Sequence, residues 1–288
     1  MSSARDIKRR IKSVKSTQQI TKAMKMVSAA KLRKSQAAVV AVRPFTRKIE
    51  QMILHISESV KHRYLQEKAE VKKVCYVVIG SDRGLCGGFN GNLNRFLSQR
   101  LAEEEREYEL IVIGRKLREY CQSQGYPIAR VCTGIGDNPS FCQAHELAEQ
   151  LRRGFDEEAY GEVSLVYTQF KSAMVQSPRL SRLLPVSPPE PVNEEYEDAM
   201  FLGVDYIFEP SREAVLEAIL PQYVDIGVYC ALQEAKASEH GARMTAMSSA
   251  TDNATEMIGH LTLSLNRARQ AAITTEISEI VGGAAALS

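Results

Sequence analysis

The chain has 288 residues, 44% hydrophobic and 25% charged, with a net charge of +2. That balance suits a soluble fold of one large or two small domains. No uninterrupted apolar run of about 18 residues occurs and no signal-peptide pattern is found, so no membrane span is expected.

The N-terminal stretch reads as one long helix. Residues 1–43 contain neither glycine nor proline, so a helix can run from about Ser3 past Val42, and Pro44 should bend or break it. Ile7, Ile11 and Val14 form one apolar stripe. Ile20, Met24 and Val27 form a second, offset around the helix, which implies contacts that change along its length. Through Lys48 there are 14 Lys and Arg, and the only acid is Asp6. Three readings fit this charge: a solvated basic face, an organellar presequence, or a docking surface for polyanions or acidic protein. The rest of the chain is net acidic.

The composition changes near Val71. Val74-Cys75-Tyr76-Val77-Val78-Ile79 before Gly80 has the pattern of a strand buried on both faces. Leu110-Ile111-Val112-Ile113 before Gly114 repeats it, as does Val163-Ser164-Leu165-Val166-Tyr167. Helical stretches fall between them at about 90–104, 115–124 and 142–153. Alternation of this kind predicts a mainly parallel sheet with helices on its faces. The loop Gly80-Ser81-Asp82-Arg83-Gly84-Leu85-Cys86-Gly87-Gly88 follows a strand and opens a helix, but it matches neither GxxxxGK[ST] nor GxGxxG. It reads as a structural turn, within which Asp82 and Arg83 could pair. The six cysteines (Cys75, Cys86, Cys121, Cys132, Cys142, Cys230) show no CxxC pair and no metal-ligand spacing, which predicts buried, reduced thiols. The five histidines are scattered and read as surface or helix-face residues. No catalytic, cofactor or metal site is legible.

Pro185-Val186-Ser187-Pro188-Pro189-Glu190-Pro191 reads as a loop. Ser211 then caps a helix that runs to the C-terminus, with bends near Pro221 and Gly241. From Met244 small and apolar residues recur at Met247, Thr251, Ala254, Ile258, Leu261, Leu265, Ala268 and Ala272 in alternating steps of three and four. That is a heptad seam for packing along one other helix. Residues 280–288 carry no side-chain charge. The expected fold is α/β plus long helices: an antiparallel two-helix coiled coil of the N- and C-terminal helices, with an intervening Rossmann-like α/β domain. The expected domains are residues 1–60 (N-terminal helix), 71–209 (α/β foot) and 211–288 (C-terminal helix with a protruding apolar tip). At 1.5 Å per residue the two helices would be about 80 and 110 Å long, leaving the last ~20 residues as a lone helix.

Several segments together resemble the gamma subunit of the F-type ATP synthase, and the resemblance covers essentially the whole chain. It rests on Ile11-Lys12-Ser13-Val14, Thr17-Gln18-Gln19-Ile20-Thr21-Lys22-Ala23-Met24-Lys25-Met26-Val27 and Lys31-Leu32-Arg33-Lys34-Ser35-Gln36. It continues in Ser81 to Gly88, Gly136-Asp137-Asn138-Pro139-Ser140, Ala242-Arg243-Met244 and Ala250-Thr251-Asp252-Asn253-Ala254. It ends in Ala268-Arg269-Gln270-Ala271-Ala272-Ile273-Thr274, with Glu276, Glu279 and Gly283-Ala284.

The resemblance implies a bacterial-type central rotor shaft, non-catalytic and without cofactor or metal. Proton flow through the c-subunit ring turns it, and its asymmetry drives the beta catalytic sites through ATP synthesis, or hydrolysis in reverse. The implied partners are a hexamer of alpha and beta subunits, the epsilon subunit and the c-ring, with one copy per complex and no nucleic acid. Membrane contact would be made only through the c-ring, on the cytoplasmic side of the cell membrane. By the same resemblance Met24, Arg243, Arg269, Gln270 and Thr274 are alpha/beta contacts. Tyr206 and Glu209 lie on the c-ring and epsilon side of the foot. Val204 stands where many relatives carry tryptophan. The short path from Leu183-Leu184-Pro185 to Glu209, without cysteine, argues against a thiol switch. The lack of a presequence predicts a bacterial source. Two rivals remain from the residues alone: a nucleic-acid-binding coiled coil, which would explain the basic helix, and a Rossmann-type enzyme with helical arms.

Overall fold

The computed structural model describes residues 4–57, 60–66, 71, 73–187 and 208–287, with backbone alone at 276, 279 and 283–287. In chain order the elements are α1 (Ala4–Ser57), β1 (Lys73–Ile79), α2 (Phe89–Ala102), β2 (Glu107–Ile113), α3 (Arg115–Ser123), β3 (Ile128–Cys132), α4 (Phe141–Asp156), β4 (Glu162–Phe170), β5 (Gln176–Leu184) and α5 (Arg212–Leu287). They divide into two compact units. One holds the residues up to Ala29 together with those from Arg243 onward; the other is Ala30–Ala242. Pro188 to Pro191, Val204 and Tyr206 lie outside the described residues.

The larger unit is built on a five-stranded sheet in the order β3-β2-β1-β4-β5. Four strands are parallel, with β1 paired to β2 from Lys73↔Glu107 to Ile79↔Ile113 and to β4 from Val74↔Glu162 to Val78↔Val166. β5 returns antiparallel to β4 as an edge. The order 3-2-1-4 is that of a Rossmann-like half, as the sequence pattern predicts. Strand alternation divides the core between the two faces. Cys75, Val77 and Ile79 pack with Ile53 and Ile56 of α1, Leu151 and Phe155 of α4, and Leu216, Leu220, Val224 and Val228 of α5. Val74, Tyr76 and Val78 pack on the other face against Leu93 and Leu97 of α2 and Leu117 of α3. A fully buried side chain of this kind contributes roughly 1.5–3 kcal/mol.

Turn chemistry fixes the joints. Gly114 has φ +104°, and a Cβ there would sit 2.9 Å from the Gly80 carbonyl, so the ends of β1 and β2 touch through two glycines. Ser140 and Gln143 form a capping box on α4. Asp82 does a similar job across a gap, its carboxylate accepting the Arg115 N–H at 3.0 Å at the start of α3. The expected Asp82–Arg83 pairing gives way to that contact. At the amino ends of β2 and β4, Arg106 grips Glu104 with two hydrogen bonds of 2.7 and 2.9 Å and reaches Glu162 at 2.8 Å. The guanidinium beside it holds the Glu104 carboxyl down at about 2.

Three expectations need adjustment. α1 runs unbroken through Pro44. Val40, whose carbonyl loses its helical donor there, is an exposed residue. His240 is buried, as is most of the His62 ring. One stretch of α5 is long and apolar enough by composition to cross a membrane, and 44% of that stretch lies buried within the fold. Cys75, Cys86 and Cys121 are buried free thiols and Cys142 is exposed. Burial pushes the Cys75 thiol up to about 12 and that of Cys121 to about 11.

Candidate functional site

The smaller unit is a stem of two helical segments. Gln18 Nε2 donates to Thr255 Oγ1 at 2.7 Å, the Thr21 and Thr251 hydroxyls meet at 2.8 Å, and Lys25 Nζ donates to Ser248 Oγ at 2.9 Å. Partner numbers fall along α5 as they rise along α1, so the segments run antiparallel. The burial pattern along α1 picks out Ile7, Ile11, Val14, Gln18, Thr21 and Ser28. On α5 it picks out Met244, Met247, Thr251, Ala254, Ile258, Leu261, Leu265 and Ala268. Both follow the heptad. The seam is apolar toward Ile7 and polar in the middle, where hydroxyls and an amide cross between helices. A shallow groove of about 490 Å³ runs beside it, lined by Gln18, Gln19, Lys22, Lys25, Met26, Ala29, Thr251 and Thr255.

What faces outward is as informative. Ile20, Met26 and Val27 are 57%, 61% and 53% exposed. The second α1 stripe therefore lies off the seam, leaving bulky apolar groups among exposed Lys8, Arg9, Arg10, Lys12, Lys15, Lys22 and Lys25. The α5 seam loses its described partner after Ala268, and Ala272 is exposed. Beyond it Ile273, Ile277, Ile280 and Val281 are 45%, 56%, 71% and 61% exposed. A stripe at steps of four and three thus continues on a single helix, with nothing among the described residues of this chain against it.

The site residues implied by the resemblance are spread along this stem. Met24 is half-buried and Arg243 buried, while Arg269, Gln270 and Thr274 are exposed beyond the end of the seam. Arg243 and Gln270 are about 40 Å apart along α5. These residues line a surface and do not converge on one point. Thr274 donates its hydroxyl to the Gln270 carbonyl of its own helix at 3.0 Å. Glu209 is exposed just ahead of α5, and Tyr206 lies outside the described residues.

In the larger unit, open α/β sheets bind ligands beyond the carboxyl ends of their strands, where strand order reverses. Here that place lies between β1 and β4, and α5 occupies it. Ala242 packs with Cys86 and Phe89 of the glycine-rich loop, and Ser238 donates to the Thr168 carbonyl at 2.8 Å. Gly241 lies so close to Phe170 that a Cβ would sit 3.2 Å from its ring. Nearby, the loop Gly136–Ser140 meets both long helices. Lys31 Nζ lies 2.5 Å from Asp137 Oδ2, His240 Nε2 lies 3.8 Å from Asp137 Oδ1, and Gln233 donates to the Pro139 carbonyl at 2.8 Å. Burial pushes the Asp137 carboxyl up, but Lys31, His240 and Lys236 together hold it below the usual range. In the sequence this loop is only a short motif: its partners lie some hundred residues away on either side, and no local signal connects them.

One unit of paired long helices and one α/β unit whose ligand crevice is filled by its own helix are the parts of a stalk protein. The family model described as ATP synthase matches residues 3–287. The ATP synthase gamma chain of Moorella thermoacetica is 53% identical over 289 residues, covering 100% of both chains. That of Pelotomaculum thermopropionicum is 50% identical over 290 residues, again covering 100% of both. Among solved structures, a chain of the Tetrahymena thermophila mitochondrial ATP synthase central stalk and c-ring is similar, with TM-score 0.60 and 28% identity over 80% of this chain and 99% of that one. A chain of the Euglena gracilis mitochondrial ATP synthase rotor shares the fold, with TM-score 0.63 and 21% identity over 94% and 98%. The chain belongs to the ATP synthase gamma-chain family. It is a central rotor subunit of the ATP synthase and performs no catalysis itself; that lies in the beta subunits.

Proposed function

We propose that the stem turns inside a ring of three alpha and three beta subunits while the α/β domain rides on the c-ring and the epsilon subunit. One copy serves each complex, at the cytoplasmic face of the cell membrane. The observation that carries this reading is the exposed apolar stripe of α5 from Ile273 to Val281, which follows directly on a paired seam. Large apolar groups left bare at regular helical spacing mark a surface that another protein covers. On this reading residues 1–60 and 211–288 supply the shaft and 71–209 the foot. Met24, Arg269, Gln270 and Thr274 face the alpha and beta subunits, Arg243, buried in the chain, is coupled to that surface from beneath, and Tyr206 and Glu209 face the c-ring and epsilon.

The division of labour follows from the chemistry. The basic face of α1 meets acidic partner segments through solvent-exposed pairs of at most about 1 kcal/mol each, weak enough to exchange as the shaft turns. The lone apolar helix beyond Ala268 turns against an uncharged wall, where packing is non-directional. Ile20, Met26 and Val27 on one side and lysines on others give the shaft unlike faces. Three catalytic sites facing it at one moment therefore meet three different surfaces. The decisive experiment is the subunit stoichiometry of the purified native complex by native mass spectrometry. One copy with three alpha and three beta chains is expected; several copies, or absence of the chain, would overturn the reading.

A further inference from the structure

The stretch of α5 from Gln233 to His240 is unusual for a core helix. Gln233, Lys236, Ser238, Glu239 and His240 are all buried, five polar residues within eight positions. Their contacts are directional. Gln233 donates to the Pro139 carbonyl and Ser238 to the Thr168 carbonyl, both reaching out of α5, while Lys236 and Glu239, only 5% and 3% exposed, pair at 2.9 Å within the helix itself. Apolar packing is non-directional and tolerates small rotations. Hydrogen bonds and ion pairs weaken steeply with angle and distance, so they hold a helix at one rotational setting.

One loop gathers these contacts from every side. Asp137 receives Lys31 of α1 at 2.5 Å and lies 3.8 Å from His240 of α5. Two residues on, the Pro139 carbonyl holds Gln233 of α5, and Ser140 caps α4. The loop thus bears on all three helices at once. A shift of α1 or α5 by one residue moves a side chain by about 1.5 Å along the axis and about 100° around it. Movement of α1 breaks the Lys31–Asp137 contact, and movement of α5 breaks the Gln233–Pro139 hydrogen bond.

We infer that the Gly136–Ser140 loop, through Asp137, is the lock that fixes the rotational register of α1 and α5 in the α/β domain, so that torque passes into the helices without slip. Asp137 is a positioning residue: it touches no substrate and acts by holding Lys31 and the His240 edge of α5. The inference rests on the rotor role and adds where within the rotor the load is held.

The test uses the whole complex in sealed vesicles, with ATP hydrolysis and ATP-driven proton pumping measured on the same preparation. Asp137→Ala should raise the fraction of hydrolysis not matched by pumping roughly twofold to fivefold, the factor for losing a partly exposed ion pair. Hydrolysis itself should persist. Asp137→Glu should recover part of the loss, and Lys31→Asp combined with Asp137→Lys should couple better than either change alone. A purely structural defect would lower both activities together and would not be rescued by the exchange of charges. If Asp137→Ala does not assemble, Asp137→Asn takes its place, since it keeps the shape and an acceptor for Lys31 while losing the charge. An unchanged pumping ratio in the single variants, or an exchange variant no better than the two changes summed, overturns the lock. Wild-type complex that hydrolyses ATP without pumping would instead overturn the rotor role, and the lock with it.

Discussion

Placing a carboxylate on the bare stripe of α5 separates an apolar bearing from a merely solvated helix end. Ile277 is 56% exposed in the chain alone. Full burial of an isoleucine is worth about 1.5–3 kcal/mol, so roughly half of that, about 1 kcal/mol, remains to be gained when a partner covers it. Ile277→Asp forfeits this gain and adds an unpaired carboxylate to an apolar wall, at a cost on the order of several kcal/mol. A total of about 4 kcal/mol corresponds to nearly a thousandfold loss in the assembly equilibrium. Deleting residues 284–288 instead removes three alanines, Leu287 and Ser288 and leaves Ile273, Ile277, Ile280 and Val281 in place. The assay is reconstitution with alpha and beta subunits, with intact complex measured by size-exclusion chromatography and its ATPase rate recorded. The deletion should assemble and retain much of its activity, whereas Ile277→Asp should assemble poorly. If Ile277→Asp assembles and turns over like wild type while the short deletion does not, the stripe is not covered by an apolar wall.

Other outcomes follow from the same structure. Met24→Lys sets a cation on a half-buried position of the basic stem. A new pair of even ~1 kcal/mol, made and broken at each step, should depress proton pumping more than ATP hydrolysis; equal loss of both in vesicle assays would refute this. Glu104 has its carboxyl held at about 2 against an ordinary 4.5, so its contribution is fully present above pH 4.5 and lost as pH falls toward 2. Glu104→Gln should therefore destabilise the chain by on the order of 2 kcal/mol at pH 7, discounted for partial exposure. The gap from wild type in thermal melts should close below pH 4.5; a gap that does not change with pH would refute the assignment. Because α5 fills the crevice beside the Gly84–Gly88 loop, titration calorimetry of the chain with ATP, ADP or NAD should give no saturable heat, and micromolar binding there would contradict that packing.

The parts legible in the sequence were those where one physical demand acts alone. Strands β1, β2 and β4 are buried on both faces and so read as unbroken apolar runs. The α5 seam faces a single partner helix, and a heptad is the pattern that partner imposes. β3 and β5 escaped notice because they are edges: Arg130, Pro178, Arg179 and Arg182 interrupt them, and few of their residues are buried. The second α1 stripe was visible, yet nothing in its spacing told whether Ile20 and Val27 face the companion helix or the outside. The middle of the α1 seam was hidden for the opposite reason, since Gln18, Thr21 and Ser28 look like surface residues until their partners on α5 are known. Asp137 was opaque because its role depends on contacts across more than a hundred residues.

Hydroxyls and alanines at the centre of the seam also set how the stem bends and twists. Small side chains let two helices approach closely, and a rod's resistance to twisting falls steeply with its radius. The cross-links at Thr21–Thr251 and Gln18–Thr255 are single hydrogen bonds, each worth about 1 kcal/mol. They can yield and re-form without melting either helix. Under load the stem can then act as a torsion spring, with the angle at its far end lagging the angle at its base.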